Sequence, residues 1–169
     1  MFDKIKTIQS LELFQDVKQE DLVVIEKLAE CLHIKNNETL FHEKDPQKNV
    51  YVIVYGSFKI LSKDQQDNVV IFNFLGRNEV LGISMARLAN PRFPVSAVAN
   101  EESCVLKISV ADFNKLFLKN PLLESRIQLQ LAQRFLDFQE DRCLRKSLAS
   151  QRLAEFILRT LDRQPQSCR

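Results

Sequence analysis

The chain of 169 residues has no tryptophan, only three glycines and two histidines, and no apolar run approaching a membrane span. Each scarcity excludes something. Without a stretch of about 20 apolar residues, no segment reads as a membrane-spanning helix. The opening Met1-Phe2-Asp3-Lys4-Ile5-Lys6 lacks the apolar core of a secretory signal, so a cytoplasmic location is expected. Three glycines cannot build a phosphate-cradling glycine-rich loop. They also leave the left-handed turn positions to Asn and Asp, which tolerate that backbone better than other side chains. His33 and His42 have no partner at metal-ligand spacing. The four cysteines, Cys31, Cys104, Cys143 and Cys168, are scattered with no C-x-x-C pair, which argues against zinc or iron–sulfur ligation by clustered thiolates. Cys31 and Cys104 sit in apolar patterns and read as small core hydrophobes. No metal, haem or iron–sulfur cluster is expected. Neither a Ser–His–Asp nor a Cys–His spacing nor a paired-acid signature is visible, so an enzyme is not expected. A net charge of +2 favours neither a nucleic-acid coat nor an acidic-substrate binder.

What is present is a chain that is 45% apolar, enough for one good core and a small appendage. Residues 4–33 are expected to be helical in two pieces, the second carrying Leu22, Ile25, Leu28, Ala29 and Leu32 at helical spacing. Leu11, Leu13 and Phe14 are expected to tuck the connecting segment onto the core. From Thr39 to Ile108 the period changes to two. Short β-rich stretches alternate with polar turns: Thr39-Leu40-Phe41, Val50–Leu61 bent at Gly56, Val69–Leu75, Val95–Ala99 and Cys104–Ile108. That rhythm predicts a small antiparallel barrel or jelly roll.

Within it, Gly76–Ser109 organises the rest. A polar turn leads to Val80-Leu81-Gly82, then to a segment of helical character, Ile83–Leu88. A glycine before a short helix can present outward N–H groups to an anion or a polar ligand edge. The same pattern also fits a strand–turn–helix corner with no ligand.

After Ile108 the period returns to 3.6. Val110–Phe113 opens a short helix, and Asn120-Pro121 gives the cap and first turn of a long one. That helix carries two apolar stripes, Ile127, Leu131, Phe135 and Phe138 on one side and Leu122, Leu129, Ala132 and Leu136 on another. Two stripes need two partners. Either one stripe lies on the roll while Ile127, Leu131, Phe135 and Phe138 form a parallel two-helix seam across a homodimer axis, or both form one broad face inside a monomer. A hinge follows at Leu144–Ala149, then an amphipathic stretch at Arg152–Leu161 and a polar tail.

The order and spacing of several short motifs resemble the cyclic-AMP receptor / fumarate–nitrate regulator (CRP/FNR) family. They are Leu40-Phe41-His42, Val50–Ser57, Glu79-Val80-Leu81-Gly82, Val95-Ser96-Ala97, Asn120-Pro121, Leu131-Ala132-Gln133-Arg134 and Arg152–Leu158. The resemblance implies an α+β fold, with an antiparallel β-roll of the cyclic-nucleotide-binding type, N-terminal helices and a long C-terminal dimerisation helix. It divides the chain into a sensor domain at 1–120, a dimerisation helix at 121–146, and a hinge with the first helix of a DNA-binding domain at 147–169. It makes the chain the effector-sensing and dimerisation region of a transcription regulator, DNA being a partner only where a winged helix-turn-helix follows.

The resemblance also locates a ligand corner at Gly82, Ile83, Ser84, Val95, Ser96 and Ala97, with Phe135, Phe138 and Gln139 from the long helix. In cyclic-AMP binders of the family a glutamate after the glycine takes the ribose hydroxyl. An arginine before Ser-Ala pairs with the phosphate, because a buried phosphate needs a cation. Here those positions are Ile83 and Val95. Phe138 and Gln139 replace the adenine-contacting Thr-Ser. Cyclic AMP is therefore not the expected effector. An apolar or flat small molecule, or a packed core that serves protein partners, fits better.

Overall fold

The period-two segments form two four-stranded antiparallel sheets. The computed structural model describes residues 4–64 and 66–144, and a division into two compact units falls between Gln128 and Leu129. In the first sheet the strand order is β1 (Glu30–Ile34), β8 (Ser103–Ser109), β3 (Asn49–Tyr55), β6 (Val80–Leu81). In the second it is β2 (Thr39–Phe41), β7 (Ser96–Ala99), β4 (Phe58–Lys63), β5 (Val69–Leu75). Alternation along each strand turns one set of side chains into the roll. Ile34, Ile53, Phe58, Ala97, Ala99 and Val105 meet there as part of one buried cluster. The far side of the first sheet is also apolar, with Val50, Val52, Leu106 and Ile108 no more than 1% exposed. Helix α3 (Val110–Lys119) packs against β3 and β8 on the chain's way out of the roll.

Gly56 links β3 of one sheet to β4 of the other at φ +83°, and a Cβ there would lie 2.1 Å from Ser103 Oγ. Only glycine fits that corner. The other left-handed positions follow the composition: Asp16, Asn37, Asp67, Asn78 and Asn90 adopt positive φ, with Lys44 as the exception. Leu11, Leu13 and Phe14 are buried, as their pattern predicts. Asn120 caps α4 (Pro121–Leu144), its Oδ1 accepting the Leu123 N–H at 3.2 Å. Ser109 and Asp112 cap α3 reciprocally, through Asp112 N–H to Ser109 Oγ at 3.1 Å and Ser109 Oγ to Asp112 Oδ2 at 2.7 Å.

Two expectations need correction. The N-terminal helices are α1 (Lys4–Gln9) and α2 (Gln19–Leu28), separated by a 3₁₀ turn at Glu12–Phe14, and helix does not reach residue 33. Ala29 is already extended, and Leu32 lies on β1 opposite Val105. Pairing with β8, reinforced by the Glu30–Lys107 ion pair at 2.9 Å, overrides a helical spacing whose Leu28 is 38% exposed. The helical segment at Ile83–Leu88 is likewise a single 3₁₀ turn, Ile83–Met85. One such turn aligns too few peptide dipoles to form an anion site. Among the described residues, no helix is long and apolar enough to cross a membrane.

Candidate functional site

The corner at Gly82 is built by the end of β6 and the start of β7. Gly82 adopts φ 81°. A Cβ added there would come within 3.0 Å of both Gln47 Nε2 and Phe93 Cε1. Gln47, only 4% exposed, donates from Nε2 to the Gly82 carbonyl, and its own backbone N–H bonds Pro91 O at 2.8 Å. Its amide thus closes the glycine corner from inside.

Ile83 is 8% exposed and Ala97 is fully buried, while Val95 is half-buried against the roll's core cluster. Ser96 Oγ accepts the Glu43 N–H at 2.9 Å, and Ser84 is exposed. The two arginines nearest in sequence are engaged elsewhere. Arg87 pairs with Glu124 at 3.2 Å, and Arg92 donates to the Lys44 carbonyl at 2.8 Å.

The interior beside this corner is aromatic. Phe41 stacks on Phe93 with ring centroids 3.7 Å apart, and on Tyr51 at 5.8 Å. Burial pushes the Tyr51 phenol above its ordinary range, so it stays neutral. Gly82, Ile83, Val95, Ala97, Gln47 and Phe93, which form the corner, are all apolar or neutral. Sequence reasoning missed Gln47 and Phe93. The one available signal was Phe93 itself, a large aromatic between Pro91 and Pro94 in an otherwise polar loop.

The remaining predicted residues lie on the part of α4 that belongs to the second unit. There Phe135 is 61% and Phe138 52% exposed, Gln139 is exposed and Leu131 half-buried. Ile127, earlier on the same stripe, belongs to the first unit and is buried. The hinge and the amphipathic stretch at 147–169 lie outside the described residues.

The model of the cyclic nucleotide-binding domain family matches residues 31–120. The chain belongs to that family. The cyclic nucleotide-binding domain spans β1 to the end of α3, and the Gly82 corner lies inside it. Curated relatives include the "cAMP-activated global transcriptional regulator CRP" of Escherichia coli, 27% identical over 100 residues, 59% of this chain and 47% of that protein. The "Transcriptional activator protein Anr" of Pseudomonas protegens is 28% identical over 126 residues, 74% of this chain and 51% of that one. The chain spans about half the length of these curated relatives. Among solved structures, the c-di-GMP-responsive regulator CLP of Xanthomonas campestris superposes with a TM-score of 0.73 at 18% identity. That match covers 90% of this chain and 76% of CLP, and it shows the shared fold of the cyclic nucleotide-binding domain.

Proposed function

We propose that the chain is the effector-sensing and dimerisation region of a CRP/FNR-type transcription regulator, with a corner that does not hold cyclic AMP. The observation that carries this is the pair Ile83 and Val95. They stand where the family's cyclic-AMP binders put a glutamate and an arginine, and both are apolar and at least half buried. A cyclic phosphate placed there would be buried without a paired cation, a cost of several kcal/mol. Gln47 and the Phe41–Phe93 stack further favour a corner closed by side chains. That supports a second form of the same reading, a regulator of this fold whose output runs through protein partners rather than a nucleotide.

On this reading residues 1–120 are the sensor domain, 121–146 the dimerisation helix and 147–169 the hinge and opening of a DNA-binding domain. Residues 82–84 and 95–97 are the ligand corner to probe in the first unit, and Phe135, Phe138 and Gln139 are the positions to probe separately in the second. The exposed Phe135 and Phe138, with Leu131, supply an apolar stripe suited to a two-helix seam in a homodimer, and Ile127 continues that stripe inside the first unit. DNA joins as a partner where a winged helix-turn-helix follows. A cytoplasmic location goes with such a role.

Calorimetric titration of the full chain with cyclic AMP tests the first part. No saturable binding in the micromolar range is expected, and a saturable isotherm with one site per chain would remove the proposal. Sedimentation velocity tests the second. The chain is expected to run as a dimer, and Phe135→Asp with Phe138→Asp to run as a monomer; a wild-type monomer at about 100 μM excludes the seam, since stable dimers hold at far lower concentrations.

A further inference from the structure

The far face of the first sheet carries a group of side chains that the ligand corner does not use. Cys31 and His33 are two residues apart on β1, so they project from the same face of the sheet. The register of β1 on β8 sets His33 opposite Cys104 and Cys31 opposite Leu106. Directly opposed residues have Cβ atoms about 5 Å apart on a common face. Three donors, two sulfurs and an imidazole, therefore gather at one point of a two-strand ladder. Their ligand atoms all lie within 4.8 Å of one another, and the two sulfurs are 2.9 Å apart.

A fourth group completes the arrangement. β3 carries a bulge between Ile53 and Tyr55, which pairs Ile53 with Val105 and Tyr55 with Cys104. The bulge brings the Tyr55 hydroxyl to 3.1 Å from His33 Nδ1. A hydrogen bond of this kind fixes the orientation of an imidazole, as outer-shell partners of metal-bound histidines do. The group grades from inside to outside: Cys104 is fully buried, Cys31 half-buried and His33 exposed. An ion thus has a path in from solvent along the His33 side.

We infer that Cys31, His33 and Cys104 form a binding site for a thiophilic divalent cation, zinc above all, with Tyr55 orienting the histidine. Two thiolates and an imidazole are a soft, tetrahedral donor set, and such sets select zinc over oxygen-seeking magnesium or calcium. Three protein ligands leave the fourth position for water at the open side. From zinc–sulfur bonds of about 2.3 Å, two coordinated sulfurs sit about 3.7 Å apart, so the thiols open by a little under about 1 Å on loading. A disulfide suits the pair less well. Cys31 and Cys104 are diagonal rather than opposed, and diagonal residues lie about 7–8 Å apart at Cα, beyond the usual span of a disulfide. A loaded ion would tie β1, which directly follows α2, to β8, which directly precedes α3.

The test uses the full chain with Cys143→Ser and Cys168→Ser, stripped of metal and kept reduced with a phosphine. Cobalt(II) reports the ligands. One equivalent is expected to give a thiolate-to-cobalt charge-transfer band and the strong visible bands of tetrahedral cobalt, both removed by one equivalent of zinc. Cys31→Ser and Cys104→Ser are each expected to weaken zinc binding at least about 100-fold, His33→Ala comparably, and Tyr55→Phe about 10-fold. Cys104 is fully buried, so its variant is judged only after circular dichroism shows a native fold. Cys31→Ser and His33→Ala, at half-buried and exposed positions, carry the test without it. Absence of the charge-transfer band overturns the site, as does cobalt or zinc affinity unchanged in Cys31→Ser and His33→Ala. A loss of two mass units in the metal-free protein left in air, with zinc uptake abolished even after reduction, makes it a disulfide pair and overturns it as well.

Discussion

The two faces of the first sheet were filled by opposite chemistry. On the inner side, at the Gly82 corner, the buried Ile83 and half-buried Val95 are apolar, and aromatic rings stack beside them. On the outer side, at the end of the same sheet, two thiols, an imidazole and a phenol converge where plain hydrophobes would suffice. The contrast teaches that ligand chemistry belongs to a small set of donors and not to the fold.

The contrast breaks most readily at its packed side. Phe93→Ala removes a ring stacked at 3.7 Å in the interior and should cost about 3–5 kcal/mol in urea unfolding. Cys31→Ala, half-buried on the outer face of the metal-free protein, should cost under about 1 kcal/mol. Equal costs would mean that the cysteine group is simply core, and the distinction between the faces would vanish. Next in size, Ile83→Glu places an acid in the corner. Set among apolar neighbours with no cation at Val95, the carboxylate should lower stability by about 2–4 kcal/mol and bring no cyclic-AMP binding. If stability held and the nucleotide bound, the corner would be open rather than filled. The smallest effect concerns neither face but the β4–β5 turn. There the Asn68 side chain, then the backbone N–H groups of Asn68 and Gln66, hold the Asp64 carboxyl below its ordinary range. A depressed folded pKa makes this contribution present above about pH 4 and lost as pH falls through the folded value. The wild type should therefore lose a little more stability than Asp64→Asn as pH falls below about 4, and parallel acid-unfolding curves would show the turn to be indifferent.

How much of this was legible in the sequence depended on whether the signal ran along the chain or across it. Runs such as Val69–Leu75 and the Asn120-Pro121 cap are local, and they fold as their spacing says. The scarcity of glycine correctly pointed to Asn and Asp for the left-handed turns. Residues 30–34 misled because their helical spacing is local while the ladder that makes them a strand comes from residues 103–107. The cysteine group was illegible for the same reason. Cys31 and Cys104 are 73 residues apart in sequence, and only strand pairing makes them neighbours. Motif spacing finds ligands set by one loop or helix; it has no access to ligands set by a sheet register. At the Gly82 corner the apolar character of Ile83 and Val95 was readable from the sequence alone. What closes the corner, Gln47 from one loop and Phe93 from another, was not.

The bulge in β3 has a consequence of its own. A strand is a two-beat count, and every residue's side is fixed by whether it falls on an odd or even beat. By spending Val54 as an uncounted beat between Ile53 and Tyr55, the chain changes parity just before the Gly56 corner. Tyr55 therefore lands with Cys104 and His33 instead of with Ile53 inside the roll. Straightening the strand with Val54 counted would send the phenol into the aromatic interior and leave the imidazole without its neighbour, whereas deleting Val54 would keep Tyr55 opposite Cys104 in a regular ladder.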